Sequence, residues 1–413
     1  MNPDSRDLLT IVLAGGRGER LYPLTKTRSK PAVPFGGVYR IIDFTLSNCI
    51  NSGLRRIKVL SQYMSHSLDR HLKQGWSIFC RELGEYIDSV PPQQQFKESW
   101  YRGTADAIYQ NLYLLEQIRP RCVLILSGDH VYKMNYADMI AFHLDNNAEL
   151  TMATVEVELA LASRKLGVLQ VDVEGRIVDF EEKPENPKAS PGRPDHARVN
   201  MGIYIFNTQA LVRSVVADAK QDTSHDFGRD VIPAMIQDFR CYAFNFVDES
   251  GGEILYWRDI GTIENYYEAS LDLLSPHPRF NLYDPQWPLR TYMGQYPPAK
   301  MIRGEAVIRR EGRQGHARNS IISPGCIIDG AWVSNCVLSP GVYIGPDAEV
   351  EDSIIFDGTR IGAGCRIRRA LIDKRVEIGA GRTLGHEPEK DREHFMVSDS
   401  GIVLVPKEYR LGG

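Results

Sequence analysis

The segment Leu13-Ala14-Gly15-Gly16-Arg17-Gly18-Glu19-Arg20, with Lys30-Pro31 shortly after it, combines glycines and cations in a spacing suited to a polyphosphate. Glycine permits φ > 0 and leaves no Cβ between backbone and ligand, so N–H groups here can turn toward an anion. Arg17, Arg20 and Lys30 would neutralise it with forked or point charges. A nucleoside triphosphate is the chemistry this predicts. Two familiar loops do not fit: Leu21 stands where a dinucleotide loop needs its third glycine, and no Gly-Lys-Ser/Thr follows. A plain strand-to-helix turn with solvated arginines would also carry Gly-Gly-x-Gly, so the tetrad alone leaves both readings open.

The elements around these residues favour a site. Leu8 to Leu13 is a short apolar run that predicts a buried strand, with the glycines at its carboxyl end, where open α/β sheets bind ligands. Asp129 follows a second such run, Cys122 to Leu126, and so is expected at the same sheet edge. By residue type alone an Asp there serves a turn as readily as a metal. Apolar runs such as Ile203 to Phe206 alternate with helical segments such as Asp106 to Ile118, which predicts a mostly parallel, Rossmann-like α/β sheet over residues 1–275. Pro276, Pro278, Pro285, Pro288, Pro297 and Pro298 then interrupt regular structure, as a linker over 276–300 would.

From 301 to 413 the chain repeats. Ile321, Leu338, Ile355 and Ile372 recur every 17 residues, as do Ile327, Ile344, Ile361 and Ile378, and Val333, Val350, Ile367 and Leu384. Steps of six, six and five predict a three-sided parallel β-helix of hexapeptide type with four coils, each aliphatic stacking on its counterpart. The histidines nearest the repeats, His316 and His386, lie outside them, so no acyl-transfer base is expected within the coils and a structural or regulatory role is.

Composition narrows the partners. A net charge of -4 gives no bulk attraction to nucleic acid or an anionic membrane. The polar N-terminus and the absence of an 18-residue apolar run predict a cytoplasmic protein. Seven scattered cysteines without a Cys-x-x-Cys pair read as reduced, structural thiols.

Several blocks together resemble the ADP-glucose pyrophosphorylases (glucose-1-phosphate adenylyltransferases) of bacteria. They are Leu13 to Leu21, Ser29 to Gly37, Arg40 to Gly53, Trp100 to Ala107, Ser127 to Lys133, Glu182-Lys183-Pro184, Ser224 to Gly228 and Tyr256 to Thr262, in the family's order along nearly the whole chain. The resemblance implies a nucleotidyltransferase sheet followed by a left-handed β-helix. The implied activity is transfer of the adenylyl group of ATP to glucose 1-phosphate, with Mg²⁺, for glycogen synthesis. Such a transfer asks little covalent work of a protein; it needs cations on two polyanions and carboxylates for the metal.

Carried onto this chain, the resemblance implies Arg17, Lys30 and Asp129 as catalytic residues and Asp129 and Asp259 as metal ligands. Arg20 would touch a phosphate or stand behind the residues that do. Leu13, Gly15, Gly16, Arg17, Gly18, Tyr101, Gly103, Thr104 and Gly128 would meet the nucleotide. Tyr101, Gly167, Glu182, Lys183, Asn200, Tyr204, Asp226, Phe227 and Trp257 would meet glucose 1-phosphate, with Lys183 on its phosphate. Asn200 departs from the serine often found in that triplet. His130 is not needed as a base, because the attacking phosphate is already deprotonated. Adenine preference rests on the resemblance of Pro91 to Gln95 and Trp100 to Asp106. The family is usually a homotetramer switched by anionic metabolites, for which Arg28, Arg40 and one of Arg366, Arg368 or Arg369 match the cationic positions. Thr27 and Pro34 depart there, where relatives carry Lys or Arg and His. Two rivals remain on the same fold: a pyrophosphorylase using UTP, dTTP or GTP, and a regulatory subunit without turnover, which would be expected to lack some of these residues.

Overall fold

The computed structural model describes residues 7–92, 100–247, 255–303 and 314–412. Nine strands form the main sheet: β1 (Leu8–Ala14), β2 (Arg56–Ser61), β3 (Tyr86–Val90), β4 (Cys122–Ser127), β5 (Leu150–Glu158), β6 (Gly167–Val171), β7 (Ile177–Glu182), β8 (His196–Asn207) and β9 (Cys241–Asn245). Their order is β7-β6-β8-β4-β1-β2-β3, with β5 pairing both β8 and β9. The apolar runs of β1 and β4 are buried on both faces, as parallel strands covered by helices require. The parallel order expected from the alternation holds from β4 through β1 and β2 to β3. Beyond β4 the sheet turns antiparallel, because β8 runs back against β4 and β5 and the short β6–β7 connection makes a hairpin. The sheet is therefore mixed.

Helices α1 (Ile41–Asn51), α2 (Ser65–Gly75), α3 (Thr104–Tyr109), α4 (Thr208–Asp218) and α5 (Ile263–Asp272) are those that matter for the site. The helix expected from Asp106 to Ile118 is broken into α3 and a second piece, Leu112–Ile118. Asn111 is the cause: its side-chain amide donates to the Ala107 carbonyl at 2.8 Å, which takes the place of the main-chain bond. A two-stranded ribbon, His130–Tyr132 with Trp257–Asp259, lies outside the main sheet and pairs Asp259 with His130.

Residues 276–299 contain neither helix nor strand, yet they are fastened to the catalytic half. Trp287 Nε1 donates to Asn48 Oδ1 (2.8 Å), Arg290 N to Ser47 Oγ (2.9 Å) and Thr291 Oγ1 to Asp43 Oδ2 (2.7 Å). Asp43 is fully buried and also accepts from His71 Nε2, Trp76 Nε1 and the Arg40 N–H, so α1, α2 and this strap share one carboxylate.

The C-terminal part is a left-handed parallel β-helix of three sheets. Val333, Val350, Ile367 and Leu384 stack as predicted. Two positions are corrected. Ile328, not Ile327, aligns with Ile344, and Ile322, not Ile321, aligns with Leu338. The first coil is one residue shorter than the rest, since Ala317, Ile322 and Ile328 each lie 16 residues before their partners. In strands a one-residue shift reverses the face. Ile321 accordingly turns outward to the seam with the catalytic domain, where Val337, Ile354 and Leu371 meet Phe35 and Tyr266. The described residues also make five coils rather than four, because Val403–Val405 and Arg410–Leu411 return to the stack after residues 385–402 break the period.

Candidate active site

Three parallel strand ends build the site. Gly15 follows β1, Gln62 follows β2, and Gly128-Asp129 follows β4; the register Val12↔Val59 and Val12↔Leu126 sets them side by side. They open on a cavity of about 1010 Å³. From this side Leu13, Gly15, Gly16, Arg17, Gly18, Lys30 and Asp129 line it, together with Tyr101, Gly103 and Thr104. From the antiparallel side come Glu182, Asn200, Tyr204, Asp226 and Phe227.

Gly18 is the glycine whose backbone requires its type: its φ is 64°, and a Cβ there would meet Lys30 Cβ and Thr25 Cγ2 at 3.0 Å. That space lets Lys30 come close under the loop. The Lys30 ammonium lies 2.8 Å from Asp129 Oδ2 and 2.9 Å from Asp259 Oδ1. Burial works against its charge, but the two carboxylates outweigh it and raise the ammonium above its ordinary range. Burial would likewise raise Asp129, yet Lys30 and His130 hold its carboxyl well below the usual carboxylate range. Ser127 Oγ donates to Asp129 Oδ1, which aims the other oxygen at Lys30.

Asp129, His130 and Asp259 have ligand atoms all within 4.8 Å of one another. Two carboxylates that already share a cation are the hard oxygen donors a small divalent ion needs, so Asp129 and Asp259 fit one. His130 stands beside them, its Nε2 3.5 Å from Asp129 Oδ1, with its Nδ1 buried and without a hydrogen-bond partner among the described residues. Arg17 is largely exposed, 5.0 Å above the Tyr63 ring, which in turn packs against Trp100.

The sugar-side residues are held by glycines and by one another. A Cβ at Gly167 or Gly228 would lie 2.7 Å from Glu182 Oε2, so both glycines make room for that carboxylate. Asn200 turns onto its own wall: Nδ2 donates to the Tyr204 hydroxyl at 2.7 Å and Oδ1 accepts from the Gly202 N–H at 2.8 Å. Burial raises the Tyr204 phenol, which stays neutral and keeps a proton to donate.

Not every expected contact is in this cavity. Trp257 lines a neighbouring cavity of about 960 Å³, with its ring edge-on to His130. Lys183 is half-exposed and pairs with Glu182 at 3.1 Å instead of pointing inward, its backbone in the left-handed region. Gly128 serves the backbone: its N–H donates to the Leu13 carbonyl, and a Cβ would press on Val12 at 3.0 Å. Asp259 closes the side toward the second cavity and reaches the site through Lys30. Gln62 and Tyr63 were missed; lying just past β2, they fall at the same sheet edge as the glycines and could have been found by that rule. Gln93, Gln94 and Gln95 of the expected base-reading block lie outside the described residues.

The expected effector cations divide. Arg28 and Arg40 line a cavity of about 310 Å³ between the domains with His66, Arg70, Lys374, Arg375 and Lys407. Arg28 is buried and donates to both Asp373 oxygens, at 2.9 and 3.1 Å. Burial depresses Lys374 to about 8, against the pull of Asp357 at 2.8 Å. Arg368 and Arg369 are elsewhere, on a neighbouring edge of the β-helix: Arg368 faces Asp352 at 3.6 Å, and Arg369 donates to the Ser400 carbonyl at 2.8 Å. Lys374, Arg375 and Lys407 are the β-helix cations that share the cavity with Arg28 and Arg40.

Comparison with known proteins agrees with this architecture. The nucleotidyl transferase family profile matches residues 9–275, and that of the GlmU-like C-terminal hexapeptide matches residues 297–405. The chain is 50% identical over 408 residues to a glucose-1-phosphate adenylyltransferase of Koribacter versatilis, covering 98% of this chain and 96% of that protein. It is 49% identical to namesakes in Rhodopirellula baltica (98% and 91% covered) and Methylococcus capsulatus (97% and 93%). With likeness of that extent across both domains, the chain belongs to the glucose-1-phosphate adenylyltransferases of the nucleotidyl transferase family.

Proposed function

We propose that this protein transfers the adenylyl group of ATP to α-D-glucose 1-phosphate, giving ADP-glucose for glycogen synthesis and releasing pyrophosphate, with Mg²⁺ held by Asp129 and Asp259. The observation that carries this reading is the cavity in which the Gly15–Gly18 loop, Lys30 and Asp129 face Glu182, Asn200 and Asp226, with Asp259 joined to it through Lys30. A bound divalent ion supplies Lewis acidity and charge neutralisation on the triphosphate. The chain supplies the rest. The loop N–H groups and Gly18's close approach hold the phosphates. Arg17, free to leave Tyr63, and Lys30, drawn from its carboxylates by the incoming polyanion, take up charge as pyrophosphate departs. Glu182, Asp226 and the Tyr204 hydroxyl bind sugar hydroxyls, so that the phosphate oxygen attacks the α-phosphorus in line. Presence of Arg17, Lys30, Asp129, Lys183 and Asp259 disfavours a subunit without turnover.

Two finer readings belong here. The interdomain cavity with Arg28, Arg40, Lys374, Arg375 and Lys407 is suited to an anionic effector. The exposed Met301 and Ile302, on a strand at the edge of its sheet among the described residues, suit subunit contact in a homotetramer. No helix among the described residues is long and apolar enough to cross a membrane.

The test is pyrophosphate release from glucose 1-phosphate with each of ATP, UTP, dTTP and GTP in the presence of Mg²⁺. ATP should be preferred by at least about tenfold, a difference of about 1.4 kcal/mol in transition-state binding. Preference for UTP or dTTP would overturn the adenylyl assignment.

A further inference from the structure

His225 carries an unusual backbone. Its φ is 55°, a left-handed conformation that residues with a Cβ rarely adopt, and the side chain is almost fully buried. What holds it there is on the page: Nδ1 lies 2.7 Å from Asp218 Oδ2 at the end of α4 and 3.0 Å from Thr223 Oγ1, which itself donates to Asp218 Oδ1 at 2.7 Å. Both Asp218 oxygens are thus spent on this one turn.

The turn aims the His225 carbonyl at α3. That oxygen accepts from the N–H groups of Ala105 (2.9 Å) and Asp106 (3.3 Å), and a Cβ at Gly103 would lie only 2.2 Å from it. The next residue completes a second fastening. Thr104 Oγ1 donates to Asp226 Oδ2 at 3.0 Å and accepts from the Phe227 N–H at 2.9 Å. The other oxygen, Asp226 Oδ1, accepts from the N–H groups of Gly228 and Arg229. The Thr104 hydroxyl therefore ties its segment to the opposite wall.

We propose that Asp218 and His225 are positioning residues for the transfer. Through the His225 carbonyl and the Thr104–Asp226 pair they clasp the segment carrying Tyr101, Gly103 and Thr104 to the segment carrying Asp226 and Phe227, and so fix the spacing between the two substrates. This rests on the functional reading above, with Gly103 and Thr104 on the side of the cavity expected to meet the nucleotide and Asp226 and Phe227 on the sugar side. In-line transfer is sensitive to such spacing: a misplacement of about 1 Å costs on the order of 10²-fold in rate.

The test compares D218N, H225A, T104V and T104S in steady-state kinetics, with amide hydrogen exchange of the peptide containing Ala105 and Asp106 measured without substrate. D218N, H225A and T104V should lower kcat about 10- to 100-fold and raise KM for ATP and glucose 1-phosphate together. T104S, which keeps the hydroxyl, should recover most of the loss. Exchange at Ala105 and Asp106 should accelerate in D218N while the main sheet stays protected. Wild-type kinetics in D218N, a KM change for one substrate only, or T104S as impaired as T104V would each overturn the proposal. Should H225A fail to fold, D218N and T104V carry the test. Should the wild-type protein form no ADP-glucose, the functional reading fails, and the exchange measurement still decides whether the clasp exists.

Discussion

Lys30 bridges Asp129 and Asp259, the carboxylates we propose as metal ligands, so the protein's own cation sits where the ion would. A divalent ion and an ammonium cannot share that space without strong repulsion. Replacing Lys30 by methionine, of similar length but neutral, should tighten binding of Mn²⁺ to the nucleotide-free protein by about tenfold or more, read by electron paramagnetic resonance, while turnover falls by about 10²-fold. Unchanged Mn²⁺ affinity would show that Lys30 does not compete for the carboxylates. Lys374 makes a second prediction. Burial depresses it to about 8 from 10.5, so between those values the unfolded chain binds the extra proton and the folded chain does not. This residue's contribution to stability therefore rises with pH across that window, while the interdomain cavity loses a positive charge. Sulfate, whose charge is constant over this range, should as a probe of that cavity bind more weakly at pH 9 than at pH 7 by calorimetry, and K374M should diminish the difference. Strand-end logic made the edge carrying Gly15–Gly18 and Asp129 legible, whereas Lys30 was legible only from its spacing to the glycines and the family resemblance. The places of Lys183, Trp257, Arg368 and Arg369 were not, because the direction of a side chain depends on partners distant in the chain, Glu182's glycine-lined pocket and His130 among them.

Elements were readable where a period was strong and obscure where one side chain interrupted it. The strands of the parallel half follow from short apolar runs. The break at Asn111 does not, because it turns on a single amide finding the Ala107 carbonyl. The β-helix shows both cases: Ile344, Ile361 and Ile378 stack with the expected 17-residue step, whereas the shorter first coil hands the inward role to Ile322 and Ile328. Ile361 is fully buried among these rungs. Truncation to alanine should cost about 2–5 kcal/mol through lost burial and a cavity that neighbouring coils cannot fill. Chemical denaturation measures it, and a loss under about 1 kcal/mol would mean that the coils relax into the gap.

At the scale of the whole molecule the two domains meet along an apolar seam, Phe35 and Tyr266 against Val337, Ile354 and Leu371, with the buried Arg28–Asp373 pair beside it. Removing one partner of such a pair leaves a buried charge uncompensated, at a cost of about 3–5 kcal/mol. D373N should therefore lower the unfolding temperature and separate the calorimetric transition into two, one for each domain. A single transition at the wild-type temperature would show that the pair does not couple them.

The strap over 276–299 has a practical meaning for anyone dividing this chain. Within it Thr291 supplies one of the donors around the buried Asp43, and Trp287 and Arg290 seal neighbouring parts of α1. A cut at residue 275, where the nucleotidyl transferase profile stops just past α5, would strip that cover and open Asp43 to solvent on one side. A catalytic fragment made for expression, crystallisation or grafting onto another β-helix should keep the chain through Thr291, although by position those residues look like the beginning of the other domain.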